Sequence, residues 1–184
     1  MASETLPQSD ISADLSHLEQ LASAHYAELL RIARRQRRRV RDIATLDTRA
    51  VLHEAFLRLA TQRQTVWVDR PRFMAAASGM MRRVLVDHLR RRRAEKRGHG
   101  EAPLALNEDL DADPGRDAHL VALDDALDRL ARVAPRLARV VECRYFGGMT
   151  EAEIAEALGV TERTVRRDWV KARGWLHDAL DHGG

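Results

Sequence analysis

Cysteine is almost missing from the 184 residues: Cys143 stands alone, so no internal disulfide can form. Aromatic residues make up only 4% of the chain, and β-branched residues are few beside abundant Ala, Leu, Arg and Glu. That balance disfavours strands and predicts an all-α protein. No apolar run is long enough to span a membrane, and the polar opening, residues 1–12, has no apolar core of the kind a signal peptide needs. Together these absences point to the cytoplasm and to no membrane insertion. A glycine-rich phosphate loop is missing as well. His53-Glu54 begins like a zinc-protease helix, but Leu57 stands where the second His is required. Cys143 has no neighbours at metal-ligand spacing, which fits a buried or semi-buried thiol. The carboxylates fall at spacings expected of solvated helix faces, and no nucleophile is accompanied by a base. The chain is therefore expected to be no enzyme, to hold no metal and to use no cofactor.

What is present is segregated charge. The formal net charge is only +3, yet arginines cluster at 31–41 and 82–97 while acidic residues gather at 107–117. Clustered arginine points to phosphate partners. A hydrophobic content of 45% suffices for real cores, in one domain or two small ones.

Taken in order, Ser12 can cap a helix in which Leu15, Leu18, Ala22, Tyr26, Leu29 and Ile32 recur every three to four residues. It runs into the basic stretch 34–41, too charged to bury, which is either a solvated helix end or a contact for phosphate or a protein partner. Asp47 can cap a second helix with Val51, Leu52, Ala55, Phe56 and Leu59 inward and His53, Glu54 and Arg58 outward. Asp69-Arg70-Pro71 reads as a cap with proline in the first turn. The third helix that follows is striped by Phe73, Ala77, Met80, Met81, Val84, Leu85 and Leu89, and loaded at its end by Arg90 to Arg93. Gly98 breaks it, and residues to about 117 read as a linker rich in Pro, Gly and acid. Leu120, Leu123, Leu127 and Leu130 pattern a further helix. Pro135 restarts another through Leu137, Val140, Val141 and Tyr145 to Gly147-Gly148. The expected organisation is two small helical domains, 12–97 and 118–182, joined by a flexible linker at 98–117.

The last segment is the most specific. Thr150 and Glu153 have capping-box spacing ahead of Ile154 and Leu158. Gly159 supplies a turn, and Thr161 can cap a second helix that turns Val165 and Trp169 inward and Arg163, Arg166, Arg167 and Lys171 outward. This is a helix-turn-helix pattern whose basic second helix suits a DNA major groove; an ordinary helical hairpin with a solvated basic face is the bland alternative.

Two stretches carry a family resemblance. Residues 80–93, Met-Met-Arg-Arg-Val-Leu-Val-Asp-His-Leu-Arg-Arg-Arg-Arg, resemble the promoter-melting helix of bacterial extracytoplasmic-function sigma factors. Residues 139–169, through Tyr-Phe-Gly-Gly-Met-Thr-Glu-Ala-Glu-Ile-Ala, are similar to their C-terminal domain. The resemblance implies a promoter-specificity subunit with core RNA polymerase and promoter DNA, duplex at −35 and melted at −10, as partners. It assigns Arg163, Thr164, Arg166, Arg167 and Lys171 to the −35 element, and Arg82, Arg83, Asp87, His88, Arg90, Arg91, Arg92 and Arg93 to the −10 side. Trp67 lies in the loop where the family captures an extruded base, with burial in the core as the alternative. Asp47, His53, Glu54 and Arg58 fall on the polymerase-binding helix. There the family's acidic start is replaced by Asp47-Thr48-Arg49-Ala50, so most of its negative charge is missing. A phosphate on Thr48, or on nearby Thr45, would restore that charge, so a switch by a Ser/Thr kinase is expected, with an anti-sigma factor as the other candidate partner; a plain solvent-exposed helix start is the alternative for Thr48. A free-standing helix-turn-helix regulator working without polymerase is the rival function.

Overall fold

The structure is a computed structural model that describes residues 8–40, 47–61, 69–98 and 114–181. Among the described residues the architecture is all-helical, with no strand. The helices are α1 (Gln8–Ala24), α2 (Tyr26–Arg37), α3 (Thr48–Ala60), α4 (Arg70–Gly98), α5 (Pro114–Val133), α6 (Pro135–Val141), α7 (Glu151–Leu158) and α8 (Glu162–Asp181), with a π-helical turn over Glu142–Gly147. Trp67 and Thr45 lie outside the described residues, as does most of the expected linker.

α4 is the axis of the molecule. Its 29 residues span about 44 Å at 1.5 Å per residue. It starts where the sequence says it should: Asp69 Oδ1 accepts from the Arg72 backbone N–H at 2.9 Å, and Pro71 occupies the first turn. The expected apolar stripe is buried against α2 and α3. Yet the burial goes all the way round: between Phe73 and Val86 only Ala76 and Arg83 escape it. A helix apolar or small on every side is one with neighbours on every side. On the second face Ala75, Ser78 and Gly79 let the π-helical turn and α7 approach closely; a Cβ added at Gly79 would lie 3.2 Å from a Glu142 carboxylate oxygen. The two halves thus share one hydrophobic core, in which Phe73, Met81 and Leu85 are continuous with Leu127, Leu130 and Phe146.

Several local expectations change. The N-terminal helix is not continuous from Ser12 to Ile32. It begins at Gln8 and breaks at His25, whose backbone (φ −113°, ψ 18°) leaves the helical region, and the break lets Leu18 on α1 and Leu29 on α2 both reach the core. Asp47 holds the N-cap position of α3 but makes no side-chain capping bond. The segment read as linker is shorter at its C-terminal end, because Pro114 opens α5 instead of breaking the chain; a proline costs a first turn nothing. The basic stretch 34–41 is not simply solvated. Arg35 donates to the Phe146 carbonyl at 2.7 Å, Gln36 is fully buried with its amide on the Ser78 carbonyl at 3.0 Å, and Arg39 stacks on Tyr145 at 3.7 Å.

Candidate nucleic-acid interfaces

The C-terminal pair of helices, α7 and α8, is built as its sequence dictates. Thr150 accepts from the Glu153 backbone N–H at 3.2 Å, while the Glu153 carboxylate accepts from the Thr150 N–H at 2.9 Å, a reciprocal capping box. Those bonds, with Arg70 beside it, hold the Glu153 carboxyl below its usual range, the Thr150 backbone bond contributing most. Gly159 takes φ +65°, the left-handed conformation that only glycine adopts without strain, and the turn passes to Thr161, whose hydroxyl accepts from the Thr164 N–H at 3.3 Å. Ile154, Ala155 and Val165 are buried between the helices, joined by Trp169 in part.

On α8, Arg163, Arg166, Arg167 and Lys171 are exposed and Thr164 is half-buried. They present one basic edge. Arg166 is steered by Glu151, whose two carboxylate oxygens hold Arg166 Nε and Arg144 Nη1, each at 2.9 Å. Arg144 in turn sits over the Trp169 ring at 4.9 Å. Glu151 and Asp168 are orienting residues that sequence reasoning missed. Asp168 is 2% exposed, contrary to the expectation that carboxylates line solvated faces, and it accepts from Arg136 at 2.6 Å with Arg167 at 3.6 Å. The signal that could have found it is position: Asp168 is one turn past Val165 in the inward stripe.

The residues assigned to the −10 side divide three ways. Arg83 is exposed, Arg91 is 60% exposed near Glu54 at 3.8 Å, and Arg92 and Arg93 are half-buried. Asp87 and Glu54 together grip Arg58, each at 2.6 Å, so α3 and α4 are latched through these charges, the bond to Asp87 being the first cause that raises the Arg58 pKa. His88 has its Nε2 buried without a hydrogen-bond partner. Arg82 and Arg90 face the C-terminal half. Arg82, 2% exposed, meets Asp124 and Glu142, the latter at 3.0 Å, with Asp128 at 3.6 Å; Arg90 meets Asp124 at 2.9 Å and Asp125 at 2.6 Å. In this arrangement Arg82 does not face solvent. Asp124 and Glu142 are buried as well, a second departure from the solvated-face expectation. Desolvation pushes the Asp124 carboxyl up, opposed by Arg82.

On α3, His53 is exposed, Glu54 and Arg58 are half-buried in the latch just described, and Thr48 is the first helical residue of a first turn holding no acid. Cys143 is 1% exposed, and burial pushes its thiol up to about 12, in keeping with a packing role. No group of His, Cys, Asp and Glu suited to a metal occurs among the described residues, and no described helix is long and apolar enough to cross a membrane.

No curated protein and no solved structure matches the chain. The family model for ECF sigma factor matches residues 3–182, which takes in every helix from α1 to α8. The chain belongs to the ECF sigma factors, non-enzymatic transcription initiation factors whose partners are core RNA polymerase, promoter DNA and often an anti-sigma factor.

Proposed function

We propose that this sigma factor directs core polymerase to two-part promoters, reading duplex −35 DNA with α8 and engaging melted −10 DNA with the basic C-terminal part of α4. The observation that carries the reading is the exposed basic edge of α8, pre-oriented by Glu151 and Asp168 behind a capped helix-turn-helix. Such an edge fits a major groove, where arginine reads guanine bidentately. Arg90 to Arg93, following the last apolar residue Leu89, suit the backbone of an unstacked strand. The polymerase face is assigned to α3, around Asp47, His53, Glu54 and Arg58, and the work is done in the cytoplasm. Two small domains, 12–97 and 118–182, carry these roles.

Activation by phosphate at Thr48 belongs to the same reading. Thr48 lies at the N-terminus of α3, where no acidic residue occupies the first turn. A phosphate there adds about −1.5 to −2 charges, is favoured by the helix dipole, and supplies the negative surface that the family's polymerase contact needs. Thr45 is the neighbouring alternative.

The test is reconstitution with core polymerase. Promoter-specific transcripts are expected from kinase-treated protein and are expected to fall with Thr48→Ala. Arg166→Ala and Arg167→Ala should each weaken −35 duplex binding by about 1 to 3 kcal/mol where a bidentate base contact is lost. Absence of promoter-specific initiation with both native and kinase-treated chain refutes the reading, whereas full activity of untreated protein refutes the phosphate switch alone.

A further inference from the structure

We propose that the cavity where α1 and α2 meet α3 and α4 is a binding site for a single-chain amphiphile with an anionic head, its alkyl tail inside the cavity and its head on Arg49 and His53.

The cavity measures about 510 Å³, inside the range of roughly 300 to 1,000 Å³ that small-molecule sites occupy. Its floor belongs to the core: Leu29, Phe73 and Met81 are each at most 2% exposed and still line it. Protein interiors hold few voids larger than a water molecule, so a space of this size over such residues is unusual. Water gains little there. The inner walls offer no side-chain hydrogen-bond partner, and a cavity lined by carbon stays dry while accepting an apolar guest. The polar side chains of the lining, Ser23, Tyr26, Arg49 and His53, all belong to exposed residues and mark its mouth.

That mouth carries charge of one sign. No carboxylate lines the cavity, and among the described residues the side chains of Arg49 and His53 make no ion pair. The nearby acids are engaged elsewhere, Glu28 with Arg70 and Glu54 with Arg58, each at 2.6 Å. Arg49 and His53 stand one turn apart on the same face of α3. A guanidinium grips a carboxylate or phosphate through two parallel bonds, and the imidazole and the Tyr26 hydroxyl add donors beside it. An apolar interior under a cationic rim thus matches one kind of guest, a tail that ends in an anion.

Such a head would lie at the first turn of α3, which holds no acidic residue. The helix dipole favours negative charge there. Resting on the assignment of α3 to polymerase, an occupied site is expected to raise affinity for core polymerase, by the route proposed for a phosphate on Thr48.

The test is calorimetric titration of the full chain with submicellar decanoate, which is expected to fill one site. Decanol and decyltrimethylammonium should bind at least about tenfold more weakly, the worth of one charge-assisted hydrogen bond. Hexanoate should bind at least about thirtyfold more weakly, since each buried methylene is worth roughly a factor of four. Arg49→Glu/His53→Glu should weaken decanoate about tenfold and leave decanol unchanged. Ala50→Trp, at an exposed position of the lining and checked for helicity by circular dichroism, should block both. Decyl phosphate against decanoate decides which head the site prefers, either preference supporting the proposal. No binding, equal binding of decyltrimethylammonium, or binding undiminished by Ala50→Trp overturns it. So does binding that appears only in Trp67→Ala, which would give the cavity to the chain's own residues 62–68. Anisotropy of labelled chain against core polymerase, with and without decanoate, is read separately. Unchanged polymerase affinity overturns the link to α3 and keeps the site, whereas a chain that binds decanoate but never polymerase refutes the function proposed for α3.

Discussion

Arg82→Met removes a buried charge while changing side-chain volume little. Arg82, Asp124 and Glu142 are each almost completely buried, so removing the guanidinium strands two carboxylates in the interior. Breaking such a pair costs about 3 to 5 kcal/mol. Two features of the site favour the lower end: Asp124 keeps Arg90 at 2.9 Å, and Glu142 keeps Arg139 at 3.3 Å. About 3 kcal/mol is a large part of the roughly 5 to 15 kcal/mol by which domains are stable. With a urea dependence of about 2 kcal/mol per molar, the midpoint should fall by about 1.5 M. The loss comes from uncompensated charge and not from packing, so Arg82→Met/Asp124→Leu/Glu142→Met should recover most of it. A pH series adds a sign. Asp124 has a folded pKa raised above 3.8, so between 3.8 and that value the native state binds more protons than the unfolded one, and its contribution to stability falls as pH rises through this window. Losing Arg82, whose charge opposes the shift, should widen the window and make the variant's deficit smaller in acid than at neutral pH. A midpoint shift under about 0.5 M for the single variant, or a triple variant no better than the single, would refute the reasoning.

Other outcomes follow from smaller features. Thr150→Ala removes the capping box and should cost about 1 kcal/mol in thermal unfolding. It also takes the Thr150 hydroxyl from the Glu153 carboxylate while keeping the backbone N–H bond that contributes most to its depressed pKa, so the stability that Glu153 gives above 4.5 and loses as pH falls through the folded value should shrink only slightly. Gly159→Ala should cost about 1 to 2 kcal/mol from its positive φ alone, since nothing crowds its Cβ. Gly148→Ala should cost more by the same measurement, because its Cβ would also displace the Arg35 guanidinium from the Phe146 carbonyl. Cys143, with its thiol pushed up to about 12, should react with Ellman's reagent in native protein at pH 8 only at the rate of unfolding.

The helices and the turn between α7 and α8 were legible because local chemistry alone fixes them. Thr150, Glu153, Gly159 and Thr161 each act within four residues, and the stripe from Phe73 to Leu89 has the helical period. What escaped is non-local. The burial of Asp124, Glu142 and Asp168 depends on arginines tens of residues away, and a carboxylate on a helix surface has the same spacing whether it meets water or a guanidinium. Ala75, Ser78 and Gly79 read as unremarkable beside the larger residues of α4, although they make its second buried face. Pro114 was misread because proline signals both a break and a beginning, and only the helix beyond it decides which. The site followed the same division. The basic edge of α8 was legible from periodicity, whereas the enclosure of Arg82 was not, since nothing near it in sequence is acidic except Asp87, which pairs with Arg58.

The π-helical turn at Glu142–Gly147 also sets how the chain can vary in length. Each residue added to or removed from a helix rotates everything beyond it by about 100° and shifts it by about 1.5 Å. Here the segment must present Glu142 to Arg82, the Phe146 carbonyl to Arg35, and Gly147 to Ser78 in a single pass. A deletion that tightened this wide turn into an ordinary helix would swing Phe146 and Gly147 away from their partners while leaving Glu142 in place, and α7 and α8 would be carried round with them. Insertions and deletions should therefore be selected against in these six residues, because they would change the phase of α7 and α8 against α4.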